Sequence, residues 1–186
     1  MSETIKYLTI EEKDRFLDSI DNKRDYVMFS LMYLYGLRCL EASKLRVDSL
    51  VLPDGVIRIE AVKNGVSGMY VLLPRTVKML EEYIEERELE GDSPLFLSKK
   101  GGHLSTTQIR RLFYKYAEEA ELRKELSHPH VLRHSIAVHL ADNGRAVEEV
   151  QMHLRHNCIS STMKYYRITS QRRRILQTSM LNEIIN

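Results

Sequence analysis

Apolar side chains recur along this chain with helical spacing over most of its length and with strand spacing in one short central stretch. Thr9-Ile10-Glu11-Glu12 opens the first helical pattern as a capping box. The Thr9 hydroxyl and the Glu12 carboxylate can each satisfy an orphan N–H of a helix running to about Ile20. Asp25 to Tyr35 is strongly apolar and predicts a buried helix, which Gly36 stops as its C′ residue, and a short helix follows from Cys39 to Leu45. Val56 to Ala61 then alternates and is β-branched, and Met69 to Leu73 is a second apolar run. Lys63-Asn64-Gly65-Val66-Ser67-Gly68 between them has the residues of a hairpin turn, and Val51-Leu52 before Pro53-Asp54-Gly55 adds a third strand.

The helical spacing returns at Pro74, which suits the first turn of a helix through about Glu88 with Val77, Leu80, Tyr83 and Ile84 as its apolar stripe. Leu95-Phe96-Leu97 reads as a short extended piece before the loop Lys99-Lys100-Gly101-Gly102. Further helices are predicted at about Ser105 to Glu121, His130 to Asp142, Ala146 to Leu154 and Ser160 to Tyr166. A separate last helix is predicted from about Ser170 to Ile184, carrying Ile175, Leu176, Met180, Leu181, Ile184 and Ile185. With no internal repeat, low-complexity tract or linker, the pattern predicts one domain over residues 1–186. Its fold class is mainly α with a small antiparallel β-sheet (α+β).

Composition narrows this picture. A chain of 186 residues is long enough for one domain that buries about two-thirds of its unfolded surface. It is 43% hydrophobic and 29% charged, with a mean hydropathy of -0.34, which argues against disorder and against a membrane protein. The longest apolar stretch, Val27 to Leu37, is too short to span a bilayer. Residues 1–20 carry five acidic side chains and no signal-peptide core, and Cys39 and Cys158 have no motif spacing. A cytoplasmic protein is the expectation.

The net charge of +2 does not by itself announce a nucleic-acid partner, but the charge is unevenly placed. Glu81 to Glu90 is acidic. Lys99, Lys100, Arg110, Arg111, Arg133, Arg145, Arg155 and Arg172-Arg173-Arg174 form a cationic remainder of the kind phosphate contacts require, although any single pair suits a solvated surface equally well.

Five residues then change the reading: Arg38, His130, Arg133, His156 and Tyr165. No packing rule asks for two arginines, two histidines and a tyrosine in this order, whereas a phosphodiester cut by a tyrosine hydroxyl does. Arg38 follows a glycine-terminated helix at the edge of the next, where a guanidinium can bind a phosphate bidentately or simply pair with Glu41 at the surface. His130 and Arg133 are three apart and share a helix face, beside Pro129 at a helix N-terminus that favours anions. Metal binding is the competing use of His130 and His134, with His128, His139, His153 and His156 nearby, but no acidic or cysteine ligand accompanies them at a known spacing. His156 ends a helix before the Asn157 loop, with His153 one turn earlier as a rival. Tyr165 and Tyr166 are both available phenols. The nine-residue separation from His156 favours Tyr165, with Tyr166 then facing the core. An unaided phenol, with a pKa of about 10, needs cations and a base to become a nucleophile.

In these segments the chain resembles the catalytic domain of tyrosine recombinases, the integrase family. The matching pieces are Tyr35-Gly36-Leu37-Arg38-x-x-Glu41, the hairpin around Lys63, His128-Pro129-His130-Val131-Leu132-Arg133-His134, and Leu154-Arg155-His156 followed by Ser160-Ser161-Thr162-Met163-Lys164-Tyr165. The resemblance runs from the first helix to beyond Tyr165. It implies Arg38 and Arg133 as phosphate clamps, Glu41 as the carboxylate that orients Arg38, and Lys63 as general acid to a leaving 5′ oxygen. It further implies His130 as base or phosphate hydrogen-bond donor, His156 as a second donor, and Tyr165 as the nucleophile of a 3′-phosphotyrosyl intermediate. No metal or other cofactor is needed, because the covalent link conserves the bond energy.

The sequence departs from the family at Arg155, where glycine is usual, and Arg155 becomes a candidate DNA contact alongside Lys99, Lys100, Arg110 and Arg111. The implied partners are double-stranded DNA and further copies of the chain in a tetrameric synapse. The 170–186 helix is expected either to dock on a neighbouring protomer or to close its own core. The chain resembles short recombinases that lack an N-terminal core-binding domain, so an accessory DNA-clamping protein is a further expected partner and a truncated integrase is the alternative. A type IB topoisomerase and a catalytically silent DNA-binding regulator of the same fold are the other readings.

Overall fold

The computed structural model describes residues 5–62 and 65–185, with side chains described throughout except at 171–172, 175–176, 179 and 182–185. In the described residues eight α-helices and three strands follow one another in the predicted order. These are α1 (Ile10–Asp18), α2 (Lys23–Leu34), α3 (Cys39–Lys44), β1 (Leu50–Val51), β2 (Val56–Ile59), β3 (Gly68–Val71), α4 (Pro74–Glu86), α5 (Thr106–Glu119), α6 (His130–Asp142), α7 (Val147–His153) and α8 (Ser160–Ile185). No helix of the described residues is long and apolar enough to cross a membrane.

Local chemistry sets most of these boundaries. Thr9 and Glu12 form the expected reciprocal capping box at α1, and Ser105 and Gln108 form a second at α5. α2 ends in a Schellman motif: the Leu37 N–H donates to the Met32 carbonyl at 3.0 Å and the Gly36 N–H to that of Tyr33 at 3.2 Å, with Gly36 left-handed at φ +55°. That turn reverses the chain sharply enough to bring Arg38 to the N-cap of α3.

α2 is the centre of the molecule. It packs against α1, α3, α4 and α6, while α5 lies over α1 and α3. Phe16, Phe29 and Phe113 meet there with ring centroids 4.7 to 5.8 Å apart, joined by Tyr116. A second buried cluster, Ala137, Val138, Val150, Leu154 and Tyr165, is formed where α6, α7 and α8 meet. The chain before α1 is tied to α6: the Leu8 N–H donates to Ser135 Oγ at 2.8 Å, and the Leu8 carbonyl accepts from His139 Nε2 at 2.9 Å. The sheet is antiparallel in the order β1-β2-β3, with Val56 opposite Val71 and Ile59 opposite Gly68. Ile57 and Ile59 point inward and are fully buried.

The main departure from the predicted elements is at the C-terminal end, where one continuous α8 replaces two helices. Arg167, Ile168 and Thr169 contain no glycine or proline to interrupt it, and the Thr169 hydroxyl donates to the Tyr166 carbonyl at 3.1 Å inside the helix. Of the apolar residues expected on this helix, Met180 and Leu181 are exposed at 62% and 58%, and the side chains of Ile175, Leu176, Ile184 and Ile185 lie outside the described residues. Three short 3-10 turns, Val47–Ser49, Leu52–Asp54 and Lys124–Leu126, were not anticipated.

The turn after α2 yields a stability prediction. A Cβ at Gly36 would lie 2.7 Å from Leu154 Cδ2, whereas one at Gly144, also left-handed at φ +78°, meets nothing within 4 Å. Gly36→Ala is expected to cost about 2–4 kcal/mol and Gly144→Ala only about 1 kcal/mol. Urea denaturation at constant m checks this, and equal losses at the two positions would show that contact with Leu154 contributes nothing.

Candidate active site

Glu41 lies at the third position of α3, and its carboxylate is buried. One oxygen accepts from Arg38 Nη1 at 2.6 Å. The other accepts from the Arg38 N–H at 2.9 Å and from Arg155 Nη2 at 3.0 Å, and Arg133 Nη1 stands 4.0 Å from it. Burial pushes the Glu41 carboxyl up, but Arg155, the Arg38 N–H and guanidinium, and Arg133 together hold it below the usual carboxylate range. Arg38, at the open side of this cluster, is the half-exposed member.

Arg133 sits on α6 with 1% of its surface exposed, and its guanidinium donates to the carbonyls of Gly36 and Leu154. It therefore bridges the end of α2 to the end of α7, beside Glu41. Its acidity is raised by burial and by the neighbouring charges of Arg38 and Arg155, with Glu41 acting in the opposite sense. Three positive guanidiniums around one carboxylate leave this corner of the molecule with a surplus of positive charge.

Tyr165 belongs to the first turns of α8 and is 1% exposed. Its ring lies parallel to that of His156, with centroids 6.4 Å apart, and its hydroxyl shares a 2.9 Å hydrogen bond with His134 Nδ1. Burial pushes the phenol up to about 12, against the pull of Arg133 and Arg38. His134 and His156 are each pushed down to about 3, first by burial and then by neighbouring cations and, for His134, by His130. Both rings are thus neutral at pH 7, and the Tyr165 O–H donates to His134 in the tautomer that carries its proton on Nε2. His156 is oriented by the buried Thr162 hydroxyl, 2.8 Å from Nδ1. His130, at the first position of α6, presents its ring at right angles to His134 with centroids 5.0 Å apart. It too is held low, to about 4, by the protein packed beside it and by Arg133 and Arg38.

Arg38, Glu41, His130, Arg133, His156 and Tyr165 thus come together from α3, α6, the end of α7 and α8. Lys63 lies outside the described residues. Lys99 and Lys100 are exposed on the loop before α5, and Arg110 and Arg111 are exposed on α5. Arg110 is close enough to the start of α3 for its charge to act on the Cys39 thiol.

Three expectations need correction. Arg155 is not a surface contact: it is 1% exposed and directed inward, its guanidinium engaged by protein carbonyls and Glu41. His153 is not a rival to His156, because its Nε2–H donates to the Leu34 carbonyl at 2.9 Å. Of the paired tyrosines it is Tyr165 that faces the core, whereas the Tyr166 hydroxyl reaches outward to the Arg145 carbonyl at 2.5 Å. Helical phase decides this: α6 and α7 cover the face of α8 that bears Tyr165 and Thr162.

Two residues of the site were not assigned from the sequence. From the sequence His134 has no role beyond a metal-ligand candidate and the end of the His128–His134 piece, although His130, Arg133 and His134 at i, i+3 and i+4 necessarily share a face of α6. Lys164, whose ammonium is 5.1 Å from the Tyr165 ring centroid, carried no signal beyond its adjacency. Among the described residues no group of three histidine, cysteine or acidic side chains is placed to hold a metal ion.

Comparison with known proteins identifies the family. The phage integrase family model matches residues 6–172. The chain is 33% identical over 166 residues to a tyrosine recombinase of Pseudothermotoga lettingae, covering 89% of this chain and 57% of that one. It is 32% identical to the tyrosine recombinase XerD of Listeria innocua, over 90% of this chain and 59% of XerD. Against the type 1 fimbriae regulatory protein FimE of Escherichia coli it is 30% identical over 86% of this chain and 84% of FimE. The chain spans somewhat more than half the length of the first two. The crystal structure of XerA recombinase superposes with a TM-score of 0.81 at 23% identity, over 97% of this chain and 65% of XerA. A post-cleavage complex of XerH site-specific recombinase bound to palindromic difH substrate does so with a TM-score of 0.80 at 25% identity, over 93% of this chain and 52% of XerH. From its first helix into its last, the chain belongs to the phage integrase family of tyrosine recombinases.

Proposed function

We propose that this chain cleaves and rejoins double-stranded DNA at specific sites through a 3′-phosphotyrosyl intermediate. The observation that carries this reading is the placement of the Tyr165 hydroxyl in a water-poor pocket beside two arginines and three neutral histidines. A buried core does not need that combination, and a phosphorane does. Tyr165 Oη forms a bond to phosphorus as the bond to the 5′ oxygen breaks. The phenolic proton passes to His134 Nδ1, whose basicity rises when the anionic phosphate enters, and the leaving oxygen takes a proton from Lys63. Arg38 and Arg133 balance the charge on the non-bridging oxygens, with His130 and His156 as hydrogen-bond donors. Such preorganised donors are commonly the largest contribution to catalysis. Attack by the free hydroxyl of a partner strand reverses the sequence. XerH bound to its difH substrate and a Tn1549 integrase bound to transposon end DNA support DNA as the partner. The exposed Lys99, Lys100, Arg110 and Arg111 supply non-specific phosphate contacts, and several copies of the chain assemble on paired sites, with an accessory clamping protein as a further partner.

Covalent attachment to a nicked suicide duplex tests the nucleophile. Tyr165→Phe is expected to lose at least about a thousandfold in attachment rate, and Tyr166→Phe to stay within a fewfold of the parent. Adduct formation by Tyr165→Phe at the parent rate would sink the assignment. Lys63→Ala is expected to cleave about a hundredfold more slowly on normal DNA and to recover on a substrate whose leaving group is a 5′ thiol, which needs no acid. Persistence of the defect on the thiol substrate would remove Lys63 from the acid role.

The pocket also sets a pH dependence of stability. His130, His134 and His156 titrate near 6.5 when unfolded and near 4, 3 and 3 when folded. Between those values the unfolded chain binds more protons, so stability is full above about pH 6.5 and declines as the pH falls towards 4. His130, being exposed, contributes least. The thermal midpoint is therefore expected to be lower at pH 5 than at pH 7.5, with a flatter slope in His134→Asn. A parent midpoint that does not move between those pH values would contradict the neutral-histidine pocket.

A further inference from the structure

Arg155 is an improbable residue where it stands. Its backbone is left-handed, with φ +58°, its side chain is almost fully buried, and its Nε has no hydrogen-bond partner. Each of these features is unfavourable on its own. Set against them is a dense set of acceptors: Nη1 donates to the carbonyls of Tyr35 at 2.9 Å and His153 at 3.0 Å, and Nη2 to the Gly36 carbonyl and Glu41 Oε2, both at 3.0 Å. The Tyr35 and Gly36 carbonyls lie at the negative end of the α2 dipole. The guanidinium carbon also lies 5.3 Å from the centre of the Tyr70 ring, which ties β3 to the same point.

The consequence falls on Arg133. Arg133 and Arg155 share the Gly36 carbonyl, and both face Glu41 Oε2, but only Arg155 reaches it. Arg133 is held 4.0 Å away while Arg155 pairs at 3.0 Å. Glu41 thus has the Arg38 guanidinium on one oxygen, and Arg155 together with the Arg38 N–H on the other. We propose that Arg155 is a positioning residue, occupying the Glu41 oxygen that Arg133 would otherwise pair with and so keeping the Arg133 charge available to the scissile phosphate. This rests on the DNA-cleaving reading above. It assigns Arg155 neither to DNA binding nor to the chemistry itself, but to the electrostatic balance of the clamp.

Arg155→Gly is the informative variant, because glycine suits the left-handed backbone and the fold is expected to survive. Its DNA affinity is expected within about threefold of the parent, while its single-turnover attachment rate at saturating suicide duplex falls about tenfold or more. In a Glu41→Gln background, where no carboxylate remains to capture Arg133, the same change is expected to have little effect on rate. A parent-like rate in Arg155→Gly overturns the proposal, as does a loss that simply adds to that of Glu41→Gln, which would mark a purely structural role. Should Arg155→Gly lose its thermal transition, Arg155→Lys is measured in the same cycle. Lysine retains the charge but has only three donors on one nitrogen for the three carbonyls and the carboxylate that Arg155 bridges, and a parent-like rate there also overturns the proposal.

An independent reading comes from the free protein labelled with nitrogen-15. The Arg133 Nε–H resonance, identified by its loss in Arg133→Lys, is expected to shift in Arg155→Gly, and an unmoved resonance refutes the repositioning. If the parent forms no adduct with any duplex, the DNA-cleaving reading fails, and the resonance still decides whether Arg155 holds Arg133 away from Glu41.

Discussion

The geometry of this molecule depends on one buried carboxylate. Glu41 takes its place because α2 ends abruptly at Gly36 and the chain re-enters a helix at Arg38, which puts a short helix N-terminus against α6 and the end of α7. A carboxylate out of water is costly unless surrounded by positive charge and N–H donors, and here Arg38 and Arg155 bind it directly with Arg133 close by. The arrangement adds little net stability when desolvation is counted. What it provides is fixed geometry: three guanidiniums from three parts of the chain are referred to one point. Removing the carboxylate would leave those cations to repel one another inside the protein, so the clamp and the local fold stand together.

Around that point the histidines and the phenol follow a different logic. Burial, reinforced by the positive charge nearby, keeps His134 and His156 unprotonated, and burial keeps the phenol protonated, so the resting pocket holds its positive charge on the arginines and Lys164. An anion entering it meets fixed cations and neutral, orientable donors, with little solvent to rearrange. The same anion would raise the proton affinity of the histidines, so the phenol's hydrogen-bond partner becomes a better proton acceptor as substrate arrives.

Much of this was legible in the sequence, for identifiable reasons. The Thr9–Glu12 capping box marked the start of α1, Gly36 marked the end of α2, and α6 begins and ends where its pattern indicated. The candidate site could be read as an ordered set of residue types because phosphate chemistry restricts the choice to a few side chains. What could not be read was direction. Arg155 looked like a surface cation because arginine usually is one, and only the positive φ at that position turns it inward. Spacing from His156 singled out Tyr165 but put Tyr166 in the core, and the packing of α6 and α7 against α8 puts Tyr165 there instead. The break expected between Tyr166 and Ser170 does not occur because Arg167-Ile168-Thr169 contains no glycine or proline to stop a helix whose other face is covered.

That uninterrupted helix has a mechanical meaning. Tyr165 lies near the start of a rod that continues to Ile185, roughly 30 Å further along at the α-helical rise. A rod transmits displacement where a jointed pair would absorb it. A small tilt imposed at the far end, pivoting where Thr162 and Tyr165 are gripped by the core, is delivered to the phenol as a rotation within its own turn. The Tyr165 hydroxyl is therefore attached to a lever whose handle lies roughly 30 Å away, and a force applied to that handle would reach the phenol without touching it.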